Sequence, residues 1–383
     1  MVIEVNIRGS TKPGFELPLK EALRFSAQFA GICYLQDSFE AILEEPEKIT
    51  RARISRTLNS GHHSVYGHPT FNFEIVGMPK ALVMFLNNEK VHVTSEKSAR
   101  YTQMEPSPEE KILYDRWLPI FEQQILARYP RIGDDKAVKL AQENARYLTS
   151  VFTPTTMGHT LNLRQLNYLT HWFQDFVESA PDTPFNERLK PSMLEFNQAV
   201  SHLYVKKLDP EARLRHLSLL GTRERQEEFG EHYSVNYEGT FAQLAQAQRH
   251  RTLYYEITTI DYPTRFFVPP IIADNPELTE QWLQDIKSVA QHYPQGTLLP
   301  INERGNYENF ISKLGERLCG HAQLEIALRT KATLERYVEE TEQSHPVIHK
   351  ELLAYNNGPR CTFDDYQCTS ACHFGKKGLQ RLI

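Results

Sequence analysis

One pattern occurs twice in this chain, and it limits what the chain can fold into. Phe71-Asn-Phe-Glu-Ile alternates apolar and polar residues as a half-buried strand does. Gly77 closes that strand, an apolar run from Ala81 to Leu86 has helical character, and a charged cluster follows at Asn88 to Lys90. Tyr233-Ser-Val-Asn-Tyr, Gly239, a helical segment from Phe241 to Gln248 and then Arg249-His250-Arg251 repeat that order about 160 residues further on. Each copy has a sheet face to bury, so the pattern implies duplication and two related domains.

The 383 residues are long for one compact domain and sufficient for two. Charge is dense between Val205 and Glu231, where Pro210 and Gly221 act as breakers. This places a first copy at residues 1–206, a second at 207–356 and a tail at 357–383 that is rich in Gly and Cys and aperiodic. Helical periodicity covers Lys136–Thr149 and Leu163–Val177 in the first copy, and Gln281–His292 and Asn309–Tyr337 in the second. The segment Ser179-Ala-Pro-Asp-Thr-Pro-Phe reads as a loop. Strands mixed with long helices give an α+β class: two related domains, each a mixed or antiparallel sheet with long helices packed on it.

Hydrophobic residues at 40% and charged residues at 24% suit a soluble globular chain. A net charge of −5 argues against bulk nucleic-acid or membrane binding, and leaves room for a local basic pocket. The start, Met1-Val-Ile-Glu-Val, lacks the basic and apolar regions of a secretory signal, and the run Ala81–Leu86 is too short to span a bilayer. Five cysteines do not make a disulfide framework, so a reducing cytoplasm is expected.

Several clusters carry chemistry. Arg249-His250-Arg251 sets adjacent cation-capable groups together, as a solvated basic turn or an anion site does. Arg317, His321 and Glu325 recur every four residues, which puts them on one helix face, as a surface ladder or as a site. The turn Gly61-His62-His-Ser64-Val-Tyr-Gly67-His68 lacks acidic or cysteine companions for a metal and suits hydrogen bonding to a cofactor, or a structural role. Glu96-Lys-Ser98-Ala-Arg100-Tyr101 offers a hydroxyl and a guanidinium that clasp a phosphate if the segment is extended. In the tail, Cys361, Cys368 and Cys372-His373 have no standard zinc spacing, and adjacent Cys372 and His373 fit one metal poorly. The sequence is therefore read as holding no metal, with those three cysteines as the candidate ligands otherwise.

Together these pieces resemble the flavin-dependent thymidylate synthases (thymidylate synthase complementing proteins), as a tandem fusion of two diverged copies. His62-His-Ser64-Val-Tyr-Gly67-His68 is similar to the family's His-x-Ser/Thr-x-x-Glu-His, with Gly67 in place of the glutamate. The family's long Arg-His-Arg…Asn-Glu-x-Ser-x-Arg-Tyr motif is split here. The first copy has Asn88-Glu89-Lys90 for Arg-His-Arg but keeps Glu96, Ser98, Arg100 and Tyr101. The second keeps Gln246 and Arg249-His250-Arg251 but carries Glu256, Ile257, Thr259 and Asp261 downstream. Arg146 and Asn162-Leu-Arg164 match in the first copy; Arg317, His321, Gln323 and Glu325 match in the second, which keeps Asn306 but has Glu308 for the arginine. Val93 and Ser95, and Tyr254 and Glu256, replace the motif's Ser and Asn.

The resemblance implies FAD as cofactor, with NADPH and methylenetetrahydrofolate as co-substrates, and transfer of a one-carbon unit to dUMP. It implies that Glu96, Ser98, Arg100, Arg146, Gln246, Arg249 and Arg317 bind the nucleotide, with Arg317 catalytic in polarising the uracil. It implies that His62, Ser64, Asn162, Arg164, Arg249, His250, Arg251 and His321 hold the flavin. Family members are tetramers with active sites between chains, so a fused pair implies a homodimer imitating the tetramer. One composite site keeps its groups; the other, pairing Asn88-Glu89-Lys90 with Asp261, has carboxylates that repel a phosphate. A flavin-dependent methylase of another pyrimidine nucleotide, and a non-catalytic nucleotide-binding relative, are the alternative readings.

Overall fold

A computed structural model describes residues 3–10, 17–98, 102, 105–208, 216–221, 223–258, 261–370 and 372–383. The first half runs β1 (Glu4–Ser10), α1 (Leu19–Tyr34), α2 (Phe39–Leu43), α3 (Glu47–Asn59), β2 (Thr70–Pro79), α4 (Lys80–Asn88), β3 (Val93–Glu96), α5 (Pro108–Arg128), α6 (Asp134–Ala145), β4 (Pro154–Asn162), α7 (Leu163–Ser179) and α8 (Pro184–Ala199). The second runs β5 (Glu228–Phe229), β6 (His232–Thr240), α9 (Phe241–Ala247), β7 (Tyr254–Ile257), α10 (Pro270–Ala273), α11 (Pro276–Ser288), β8 (Leu298–Asn306), α12 (Tyr307–Arg317), α13 (Leu324–Ser344) and α14 (Pro346–Leu353).

The two halves build the same sheet. Strand order is β1-β2-β4-β3 in one and β5-β6-β8-β7 in the other, and every pairing is antiparallel. Register matches as well: Thr70 pairs with Asn162 and Val93 with Thr160, while His232 pairs with Asn306 and Tyr254 with Arg304. Both long strands end on an asparagine whose side chain caps the next helix, Asn162 accepting from Gln165 N–H and Asn306 from Asn309 N–H. Such a cap contributes about 1 kcal/mol and fixes where strand becomes helix.

The α+β expectation holds, and both sheets are antiparallel. Three details differ from the sequence reading. Gly77 lies inside β2 with φ 79°, where the register shifts between Val76 and Met78; glycine marks a bulge there rather than the strand's end. Gly239 likewise stands within β6, one residue before Thr240 caps α9. The helix expected over Asn309–Tyr337 is two helices, α12 and α13, with Leu318–Gln323 between them. Arg317, His321 and Glu325 therefore do not line one helix face.

By their contacts, residues 1–97 and 154–218 form one compact unit, and 98–153 with 219–383 form the other. The boundary expected at 206/207 is thus displaced, the segment 98–153 groups with the second sheet, and the tail belongs to that unit too. The reason is hydrophobic. Trp117, Phe121 and Ile125 of α5 and Ala137 and Ala141 of α6 share a buried core with Ile272 of α10 and Trp282 and Ile286 of α11. Trp117 and Trp282 meet edge to face at 5.0 Å, and Trp117 Nε1 donates to Asp285 at 2.8 Å. Burying side chains of this size contributes roughly 1.5–3 kcal/mol each. A box of mutual hydrogen bonds between Ser107 and Glu110 starts α5, with Pro108 in its first turn.

Candidate functional site

In the unit of residues 98–153 and 219–383, the turn after α9 carries Arg249, His250 and Arg251. Arg249 and Arg251 are exposed, whereas His250 is buried. Arg317, at the end of α12, donates its Nε–H to His250 Nε2 at 2.6 Å. Burial first, then the Arg317 and Lys313 charges, push the imidazole down to about 2. His250 is therefore neutral, with Nε2 as acceptor, and it fixes how the Arg317 guanidinium is turned. Glu316 lies 3.7 Å from His250 Nε2, but a neutral ring forms no ion pair with it.

Beneath this pair lies a fully buried charge cluster. Lys313, one turn before Arg317 on α12, donates to both oxygens of Glu303 on β8 at 2.6 Å. The Tyr233 and Tyr237 hydroxyls donate to the same carboxylate at 2.9 and 3.0 Å. Burial pulls the Lys313 ammonium down and the Glu303 charge opposes it. A second network joins the segment after α6 to α9 and α13. Glu325 accepts from Thr240 N–H at 2.8 Å, Thr240 Oγ1 at 2.7 Å and Tyr147 Oη at 2.9 Å; Gln323 Nε2 donates to the same tyrosine at 2.6 Å. Burial raises the Glu325 carboxyl, and the Thr240 and Tyr147 bonds oppose that shift.

These contacts give the nucleotide candidates a common frame. Arg146 is buried and is followed by Tyr147; Gln246 is buried on α9, whose first turn Glu325 anchors through Thr240. Arg317, Arg249, Gln246, Arg146 and Ser98 all fall in this unit. The Ser98 carbonyl accepts from Thr102 N–H at 2.9 Å and from its hydroxyl at 2.8 Å. Arg100 and Tyr101 lie outside the described residues. His321 stands in the turn between α12 and α13, its Nε2 3.2 Å from Ser370 O. Glu96 falls in the other unit, as the last residue of β3, and is paired with Lys80.

The open face of the second sheet carries a cleft of about 750 Å³ between the 221–225 segment and β6, β7 and β8. Glu256 accepts from Arg225 Nη2 at 2.7 Å and from Arg304 at 3.2 Å on that face. The equivalent cleft on the first sheet, also about 750 Å³, has Lys97 as its one basic group besides His159.

The unit of residues 1–97 and 154–218 holds the other flavin candidates. His62 and Ser64 belong to a tight turn before β2, and Asn162 and Arg164 to the start of α7. The turn and the helix meet: Leu163 N–H donates to Pro69 O at 3.0 Å, and a Cβ on Gly67 would sit 3.9 Å from Asn162 Nδ2. Tyr34 Oη lies 2.5 Å from His62 Nδ1, and Ser64 is exposed. The Arg164 guanidinium lies 5.8 Å from the Tyr168 ring, and its Nε is buried with no acceptor among the described residues. That orphaned donor beside Asn162 fits an anionic or carbonyl-bearing ligand. Asn88 and Glu89, which stand where Arg249 and His250 stand in the second copy, are buried; Asn88 donates to Ser218 Oγ at 2.8 Å, and Glu89 accepts from Ser218 N–H.

Sequence reasoning missed Glu303, Lys313 and Tyr147. The strand alternation of β8 marks Glu303 as facing inward, and a buried glutamate there requires a cation nearby. All five cysteines, Cys361, Cys368 and Cys372 among them, are unpaired thiols. No helix among the described residues is long and apolar enough to cross a membrane.

Matched register and matched caps define a pair of related α+β units. Residues 19–174 match the thymidylate synthase complementing protein family model. A flavin-dependent thymidylate synthase of Pyrococcus furiosus is 26% identical over 144 residues, which is 34% of this chain and 56% of that one. The Pyrococcus abyssi protein of the same description is 25% identical over 145 residues, with the same coverage. The chain thus spans about half the length of the curated relatives it matches. Among solved structures, thymidylate synthase X of Helicobacter pylori with FAD and dUMP aligns at 19% identity, covering 54% of this chain and 99% of that one, with a TM-score of 0.32. A UMP/dUMP methylase of Streptomyces cacaoi bound with 5-Br dUMP aligns at 17%, covering 54% and 92%, with a TM-score of 0.34.

Proposed function

We propose that this protein is a thymidylate synthase-type enzyme that uses FAD, with its nucleotide site in the unit of residues 98–153 and 219–383. In this reading a one-carbon unit passes from methylenetetrahydrofolate to dUMP, and NADPH is the reductant. The observation that carries it is the Arg317–His250 pair, an arginine held in one orientation by a neutral imidazole among the family's retained motif residues. A guanidinium fixed this way stabilises negative charge developing on a bound pyrimidine without reorganising. Ser98, Arg100 and Arg146 hold the phosphate, with Gln246 and Arg249 completing the nucleotide set and Glu96 assigned to it from the motif. His62, Ser64, Asn162, Arg164, Arg249, His250, Arg251 and His321 are assigned to the flavin, which supplies hydride and one-carbon relay chemistry when bound. The duplicated sheet supports a fusion of two copies, with two chains forming a homodimer that imitates a tetramer.

Purification with excess FAD tests the reading. Retained flavin absorbance, with calorimetric binding of dUMP that Arg317→Ala weakens, is the expected result; neither flavin nor nucleotide binding would sink it. Nucleotide binding without flavin would leave the non-catalytic alternative. A second pyrimidine substrate is favoured by one feature: Glu256, where the family has Asn, is tied to Arg225 and Arg304. Comparing methyl transfer to UMP and dUMP separates the two substrates. Light scattering that gives the mass of one chain for the flavin-loaded protein would overturn the dimer.

A further inference from the structure

Four of the chain's five cysteines are gathered at one place, the turn between α12 and α13. The tail returns to this turn through a backbone bond, Arg360 N–H donating to Leu318 O at 2.5 Å, which sets Cys361 beside Cys319. Cys372 packs against the next residue: a Cβ built on Gly320 would fall 2.6 Å from Cys372 Sγ, so only glycine leaves room for that thiol. Cys368 Sγ donates to Ser370 O at 3.3 Å, and His321 Nε2 lies 3.2 Å from the same carbonyl. His321 N–H points at Cys319 Sγ at 3.4 Å. Arg360 Nε, one residue from Cys361, is buried with no acceptor among the described residues.

We propose that Cys319, Cys361, Cys368 and Cys372 form a tetrahedral four-sulfur site for a structural zinc ion that fastens the tail to the α12–α13 turn. The tail alone offers three cysteines and an ill-placed His373; Cys319, from a turn more than 40 residues earlier in sequence, supplies the missing ligand. Among the described residues no three His, Cys, Asp or Glu side chains are already arranged to hold a metal, and Cys368 instead donates to a carbonyl as a thiol does. In the proposed site the four thiolates would hold the ion at about 2.3 Å, and binding would release one proton to solvent from each thiol. Four sulfurs and no carboxylate select zinc over magnesium or calcium.

Metal analysis reads the site directly, without an activity assay. The full chain, purified from zinc-supplemented medium and dialysed against metal-free buffer, is expected to hold about one zinc per chain. Cys319→Ser and Cys368→Ser are each expected to lower that at least about tenfold, whereas Cys33→Ser, at an exposed position near the end of α1, leaves it unchanged. As a check that does not depend on variant folding, thiol titration of the native wild-type protein should find four slow thiols that become fast with chelator. Absence of zinc with all thiols fast, a disulfide among the four, or full zinc retention by Cys319→Ser would each overturn the proposal.

Discussion

The two sheets share order, register and caps, yet the turns leaving α4 and α9 differ. In the first unit the chain after α4 turns inward: Asn88 and Glu89 are buried, bonding to Ser218. In the second, Arg249 remains exposed while His250 holds Arg317. The paired inner positions diverge too. His159, on β4, stacks with His92 at a ring separation of 5.2 Å, whereas its register equivalent Glu303, on β8, takes Lys313 and two tyrosines. The same backbone thus serves one copy as a structural turn and the other as a polar centre under an arginine. Copies of one fold diverge at buried polar positions only as whole clusters, because each member left alone is costly.

The largest effect should come from the cluster that only the second unit has. Lys313→Ala strands Glu303 without its cation and is expected to cost about 3–5 kcal/mol in chemical denaturation. Glu303→Gln with Lys313→Met should cost clearly less than that single change; an equal or greater loss would show that the tyrosines, not the ion pair, dominate.

Nucleotide binding tests the division of the motif. Arg100→Ala and Arg249→Ala should each weaken binding of a deoxyuridine nucleotide by about 1.5–3 kcal/mol by calorimetry. Their combination should be non-additive, since both act on one ligand.

His250 sharpens the comparison through pH. In the folded chain the ring stays neutral down to about 2, while the unfolded chain takes up that proton below an ordinary value near ~6.5. The unfolded state therefore binds more protons between those limits, so stability is full above the upper limit and falls as pH drops. From pH ~6.5 to ~5 the loss attributable to His250 is about 2 kcal/mol. His250→Gln should flatten the slope of stability against pH in that window; an unchanged slope would mean the ring is not buried neutral.

The smallest effects belong to the first unit's diverged turn and its partner. Lys90→Ala and Asp261→Ala should change nucleotide affinity by less than about 0.5 kcal/mol. If they matter as much as Arg100 and Arg249, both copies bind nucleotide and the asymmetry between the two turns is not functional.

Much of the fold is legible in the sequence because strand alternation and helix periodicity are local. The counterpart positions of Asn88 and Arg249, and of Asn162 and Asn306, fall where the repeat puts them. The break at Leu318–Gln323 is not legible, since four-residue spacing looks the same in a helix and across a turn that happens to succeed it. Glu303 and Lys313 sit ten residues apart on a strand and a helix, and no single period links them. The grouping of 98–153 with the second sheet is invisible for another reason: α6 reads as an ordinary amphipathic helix, α5 shows no clear apolar face in its periodicity, and nothing in either names its partner. Arg146 draws the eye by its charge, although neighbouring Tyr147 makes the network's described contacts.

That grouping has a consequence for how the chain is made. Synthesis delivers α5 about 150 residues before α11, so at roughly 5–20 residues per second Trp117, Phe121 and Ile125 wait roughly 7–30 s for Trp282 and Ile286. Until then the nascent chain carries an apolar helix surface with only α6 to cover part of it, and that surface is a natural target for holding chaperones on the ribosome. A polypeptide released after the first sheet alone would keep that surface open indefinitely.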